Sequence, residues 1–224
     1  MRRLAIPALA TVLLTGSVVA LQATETPAIP GAMEPGRVTE GAYKTDPAHT
    51  LVGWRINHLG FNDYFGTFGD VEGTLDLDPA DLSSAKLDVT IPVTSVSVIS
   101  EGLREHLFRA GKDGAAPDFF GPEPAPARFV STKVEPTGPT TAIVSGDLTL
   151  MGQTRPLALQ VEFTGAGLNV MNNAETVGFE AQASLKRSDF GLSGFIPLVS
   201  DGVDLQITAA FEKITPDHDH DHTK

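Results

Sequence analysis

The sequence predicts an all-β protein, an antiparallel β-barrel or sandwich of about eight strands with one short helix. Apolar and polar residues alternate at the two-residue period of half-buried strands, most cleanly over residues 177–187 and 203–211. No strand–helix–strand rhythm recurs, which argues against a parallel sheet. Consecutive runs are also joined by short turns such as Gly152-Gln153-Thr154, as antiparallel hairpins require.

The opening strand is residues 50–60, where Val52, Trp54 and Ile56 alternate with Leu51, Gly53, Arg55 and Asn57. His58 continues the apolar register, and a polar ring on that face needs a partner, either a backbone carbonyl or a ligand head group. The face is therefore read as lining a cavity. Residues 61–66 read as a turn carrying Phe61, Tyr64 and Phe65, followed by a strand through Val71, Gly73, Leu75 and Leu77.

Residues 86–98 alternate Leu87, Val89, Ile91 and Val93 against Lys86, Asp88 and Thr90, with Pro92 marking an edge or bulge. Ser100 is an N-cap for a helix over residues 101–110, in which Leu103 and Leu107 share a face and which Gly111 ends. Residues 112–126 form a loop anchored by Asp118-Phe119-Phe120. Strands follow at 127–135, 141–151, 155–164, 177–187 and 203–211. Eight strands make a barrel just wide enough to be filled by side chains or to hold one small ligand. Gly69, Gly73, Gly146, Ala181, Ala183 and Ala209 on the inward parity favour a cavity. The aromatic girdles of an outer-membrane barrel are missing.

A chain of 224 residues supplies one good-sized core. Its net charge of −12 argues against a nucleic-acid partner. Arg2 and Arg3, an apolar run and small residues up to Ala23 have the layout of a secretory signal peptide over residues 1–23. Residues 24–41, with Pro27, Pro30, Pro35, Gly31 and Gly36, read as a flexible linker. The barrel domain takes 42–214 and a His/Asp-rich tail 215–224. With no cysteine, export to the periplasm leaves the core alone to hold the fold. His218, His220 and His222 alternate with Asp219 and Asp221 in a pattern that can take a metal, but the segment lies past Pro216 with nothing to preorganise it and reads as a solvated tail. No metal or cofactor is assigned.

Catalysis would start from His49, His58 or His106, yet no nucleophile elbow, cysteine or inward carboxylate pair accompanies them. Residues 188–202 crowd Phe190, Leu192, Phe195, Ile196, Leu198 and Val199 into one connection, which must pack at a barrel end, cover a pocket or meet a partner. Leu107, Phe108, Phe119 and Phe120 are placed to meet it as an apolar rim. Arg187 keeps the inward parity, facing either a ligand's oxygens or a bridge to Asp189 or Asp118.

The set Tyr43-x-x-Asp46-x-x-His49-Thr50, Asn57-His58-Leu59-Gly60, Gly66-x-Phe68 and Lys186-Arg187-Ser188-Asp189-Phe190-Gly191 resembles the YceI-like family of lipid-binding periplasmic proteins. Asp118-Phe119-Phe120, Phe129-Val130-Ser131-Thr132 and Gly146-Asp147-Leu148-Thr149-Leu150 extend the resemblance, which runs from Tyr43 to Lys213. It implies a lipocalin-like barrel holding an isoprenoid or other long-chain lipid in an apolar tunnel. Trp54, Ile56, Leu75, Val89, Leu148, Phe179 and Leu205 would line that tunnel, with Asn57, His58 and Arg187 near a polar head. Met151 stands where such proteins commonly carry histidine, and the loop before Asp118 has extra Gly and Ala; both bear on ligand and entrance. The expected function is a periplasmic carrier rather than an enzyme, with a homodimer among the assemblies open to it. The alternatives are an enzyme acting on a lipid or quinone in the same cavity, and a structural stress-response module with a filled barrel.

Overall fold

The structure, a computed structural model, describes residues 28–215. The expected signal peptide, the start of the linker and nearly all of the His/Asp tail lie outside the described residues. Ten strands form: β1 (Gly41–Thr45), β2 (Leu51–His58), β3 (Asn62–Phe68), β4 (Glu72–Leu77), β5 (Lys86–Ile91), β6 (Ala127–Pro136), β7 (Thr141–Leu150), β8 (Gln153–Leu168), β9 (Glu175–Lys186) and β10 (Gly202–Lys213). The helix α1 is Glu101–Leu107, capped as expected by Ser100 Oγ, which accepts from the Leu103 N–H.

These ten segments fill eight positions of a closed antiparallel barrel. Strand β10 pairs with β9 from Gly202↔Lys186 to Glu212↔Thr176. Its other edge is divided, with Asp204–Thr208 on β2 and Phe211–Lys213 on β1. So β1 and β2 follow each other in one position of the ring, and β3 and β4 share the next. The break is satisfied at Ala210, whose carbonyl accepts from Asp46 N at 2.8 Å and whose N–H donates to Thr50 Oγ1 at 3.2 Å. Thr50 is accordingly buried.

Several boundaries differ from the sequence reading, each for a local reason. The turn expected at 61–66 is confined to Leu59-Gly60-Phe61, and β3 begins at Asn62 with Tyr64 opposite Ile56 and Gly66 opposite Trp54. Pairing with β2 overrides the turn-like composition of that stretch. Strand β5 stops at Ile91 because Pro92 opens a 3₁₀ turn at Val93–Ser95, so Val93 and Val96, three residues apart, are both buried without joining a ladder. Phe108 leaves helical geometry, ending α1 three residues early. The hairpin turn is Met151-Gly152, both with positive φ, as a two-residue loop demands. Strand β8 runs four residues past Thr164 because a bulge there resets the alternation.

The described part of the expected flexible linker is a strap. Ala32 and Ala166 exchange both backbone hydrogen bonds, 3.1 and 2.9 Å, and a 3₁₀ turn follows at Pro35–Arg37 before Gly41 enters β1. Tyr43, fully buried, donates its hydroxyl to Thr39 O at 2.6 Å. The crossing requires glycine in β8, since a Cβ on Gly167 would sit 2.2 Å from Pro30 O. Proline and the lack of an apolar period hid this segment, because its pairing is made by backbone alone.

The small inward residues divide in role. Ala181 and Ala209 face the hollow. By contrast, Gly146 admits the ring of Phe129, 2.5 Å from where its Cβ would be, and Gly73 admits the backbone of Val89. Those glycines relieve crowding and leave no void.

Gly167→Ala should lift the strap while sparing the barrel. Limited proteolysis is expected to cut residues 28–40 faster than in the parent, with little change in the urea midpoint.

Candidate binding cavity

The ring is hollow. One chamber of about 680 Å³ extends toward the strap and another of about 520 Å³ toward α1, and Val52, Ile91, Leu148 and Leu205 wall both. Volumes of this size match ligand sites, and an apolar lining gives water few partners.

The first chamber is bounded by alternate residues of its strands, among them Leu75, Val89, Leu159, Phe163 and Phe179. Its deep polar groups are spent on the backbone. Thr45 Oγ1 accepts from Gly73 N at 3.0 Å, and Thr50 serves Ala210. The second chamber takes Trp54, Ile56, His58, Leu107, Phe119, Phe120, Arg187 and Phe195 from the sequence reading. Tyr64, Phe68, Leu103 and His106 also line it. Tyr64 and Phe68 went unassigned because their strand looked like a turn, although their parity with Gly66 carried the signal.

Three candidates do not face either chamber. Asn57 points outward, its Oδ1 accepting from Gly60 N at 2.9 Å and its Nδ2 donating to Asp63 at 3.2 Å, so it fastens the β2–β3 turn. The reason is parity: Asn57 alternates with the inward Ile56 and His58. Phe108 packs on Phe120 and beside Arg104 just past the end of α1. Phe190 is buried among Phe129, Leu148 and Leu159, filling core. His58 borders the second chamber but is exposed at its mouth.

Arg187 is only 4% exposed and makes no bridge to Asp189 or Asp118. Its guanidinium donates instead to three carbonyls of the connection after β9: Nε to Ser200 at 2.9 Å, Nη2 to Val199 at 2.9 Å, and Nη1 to Leu192. That leaves two of its five N–H donors uncommitted to the described residues. Burial pushes its pKa down from the usual range, and the charge of Asp201 opposes the shift. Asp201 accepts from Ser188 N and Oγ at 2.9 and 2.8 Å, bonds that hold its carboxyl below the ordinary carboxylate range. The Asp118 carboxyl is also held low, first by the hydrogen bond from His106 at 2.9 Å and then by Arg109 at 3.3 Å.

Together these bonds make residues 192–201 a lid. Phe195 stacks on Phe119 with centroids 6.0 Å apart, and His106 meets both rings edge-on. Trp54 closes the side wall, its indole stacked with Tyr64 and lying where a Cβ on Gly66 would be 2.2 Å from Cζ2. The Trp54 Nε1–H is buried without a partner among the described residues. Chemically the cavity suits an elongated molecule, apolar over most of its length, whose polar end lies near His58, His106 and Arg187.

Arg187→Met would leave three lid carbonyls without their charged donor, a loss of about 3 kcal/mol in unfolding free energy. Urea denaturation should register it. Arg187→Lys should recover only part, since one ammonium cannot copy the fork.

Residues 43–211 match the model of the YceI-like domain. A UPF0312 protein of Pseudomonas fluorescens strain SBW25 is 36% identical over 175 residues, which span 77% of this chain and 87% of that protein. Among solved structures, the Campylobacter jejuni YceI protein superimposes with a TM-score of 0.60 at 28% identity, covering 71% of this chain and 90% of that one. A polyisoprenoid-binding domain from Saccharophagus degradans shares the fold, with a TM-score of 0.51 at 13% identity over 79% of this chain and 100% of its own. With both the domain match and the Pseudomonas relative extending over most of its length, the chain belongs to the YceI-like family.

Proposed function

We propose that this protein is a periplasmic carrier that holds an isoprenoid or another long-chain amphiphilic lipid inside its barrel. The observation that carries the proposal is the pair of adjoining chambers, lined mostly by hydrocarbon and sharing the walls made by Val52, Ile91, Leu148 and Leu205. The chain of the ligand would run through the first chamber and its head would lie in the second. Each buried methylene contributes about 0.8 kcal/mol, so affinity comes from length, and the polar groups orient the molecule. The polyisoprenoid-binding neighbour supports this choice of ligand. The alternative of a ligand-free structural module needs a filled barrel, which two open chambers oppose. Periplasmic residence rests on the leader-like N-terminus and on a chain without cysteine.

Purified protein extracted with organic solvent should release a long-chain amphiphile detectable by mass spectrometry. Trp54, the only tryptophan, should shift its emission when a prenyl-chain probe enters the emptied protein. No extracted lipid together with unchanged emission at saturating probe would overturn the proposal.

A further inference from the structure

The mouth of the second chamber is ringed by apolar side chains that the fold leaves in water. Phe61 is 85% exposed, Ile99 96%, Leu198 58%, Phe195 47%, Leu59 44% and Ile196 36%. They come from three neighbouring tips. Leu59 N donates to Leu198 O at 2.7 Å, joining the β2–β3 turn to the lid. Ser100, next to Ile99, donates its N–H to the Tyr64 hydroxyl at 3.3 Å. The ring is continuous with the interior, since Phe195, Val199, His58 and Ser100 also line the chamber.

Charge is kept out of these tips. Residues 59–62, 98–100 and 192–200 contain no Asp, Glu, Lys or Arg, in a chain whose net charge is −12. Exposed apolar area of this extent marks a surface that meets something.

We propose that this collar docks on the surface of an uncharged lipid bilayer, setting the chamber mouth against the membrane. The purpose rests on the carrier reading, because a water-insoluble ligand would then cross from bilayer to chamber without entering water. The collar's shape favours a bilayer over a second copy of the chain. Protein interfaces pack an apolar centre inside a polar rim, whereas here the centre is an opening and the apolar groups surround it. Projecting Phe, Leu and Ile side chains can each sink into the boundary of headgroups and acyl chains. No Lys or Arg in the collar calls for anionic lipid, and the acidic chain gains nothing from it.

The test is flotation of the protein, freed of its expected leader, with phosphatidylcholine vesicles, comparing it with the double variant Phe61→Ser/Ile99→Ser. Both positions are exposed and lie outside the chamber lining, and matching thermal midpoints will show that the variant folds. The parent should float with the vesicles equally at about 0.1 and 0.5 M salt, since apolar insertion is little screened. The variant should partition about tenfold less while taking up a prenyl-chain probe from solution as the parent does. A parent that stays with the soluble fraction, binding that salt abolishes, or binding that the variant retains would overturn the proposal. So would a parent dimer that the variant converts to monomer, which would assign the collar to a second copy. Probe uptake is read without vesicles, so failure of the carrier reading and failure of the docking surface are separate results.

Discussion

Strand β10 has to satisfy two edges at once, and it does so by pairing with β9 along one side and with β2 and β1 in succession along the other. Closing the ring in this way removes most of the exposed strand edges of an open sheet. It also fixes the circumference, because eight positions enclose more space than these particular side chains fill. The alternation along β9 and β10 puts Ala181 and Ala209 inside, beside Phe163 and Phe179 on the same wall of the first chamber, so the packing defect sits in the middle of the molecule and is fenced with hydrocarbon. A hollow of that kind forfeits dispersion contacts in the empty protein and regains them when an apolar chain enters.

The two ends of the ring are finished differently. At the strap end, Ala32 exchanges backbone hydrogen bonds with Ala166 of β8, and the Thr45 and Thr50 hydroxyls inside are already paired. At the other end the ladder gives out, since β5 stops at Ile91, and the wall passes to α1 and to Phe119 and Phe120. The lid there is apolar in its side chains and is held down through its carbonyls. Arg187 supplies that hold as a buried cation whose hydrogen-bond partners are neutral groups, while Asp201 fixes the neighbouring Ser188. Placing the cation beneath the lid gives the second chamber a buried charge.

Much of this was legible in the residues. Period-two alternation marked the strands from β6 to β10, and parity together with the family resemblance put Trp54, Ile56, Leu75, Val89, Leu148, Phe179 and Leu205 on the face that lines the chambers. What escaped was set by contacts distant in sequence. β3 is a strand because β2 pairs with it, and the strap is ordered because Gly167 of β8 lets it approach. Arg187 lies at the end of the barrel as its parity implied, but its partners are carbonyls, which leave no trace in a sequence, whereas Asp189 and Asp118 were visible and stood as the alternative to a ligand's oxygens. The exposure of the collar was hidden for a related reason: apolar residues in a loop read the same whether they fold inward or project.

A lipid that runs the length of the barrel requires the two chambers to act as one continuous hollow, joined past Val52, Ile91, Leu148 and Leu205. Titrating the lipid-free protein with a homologous series of prenyl alcohols of increasing length tests this most directly. Affinity should keep rising for chains too long for the second chamber alone, and Leu148→Trp should end that rise early while leaving short chains bound. Affinity that levels off at the same short length in both proteins would contradict a through-going cavity.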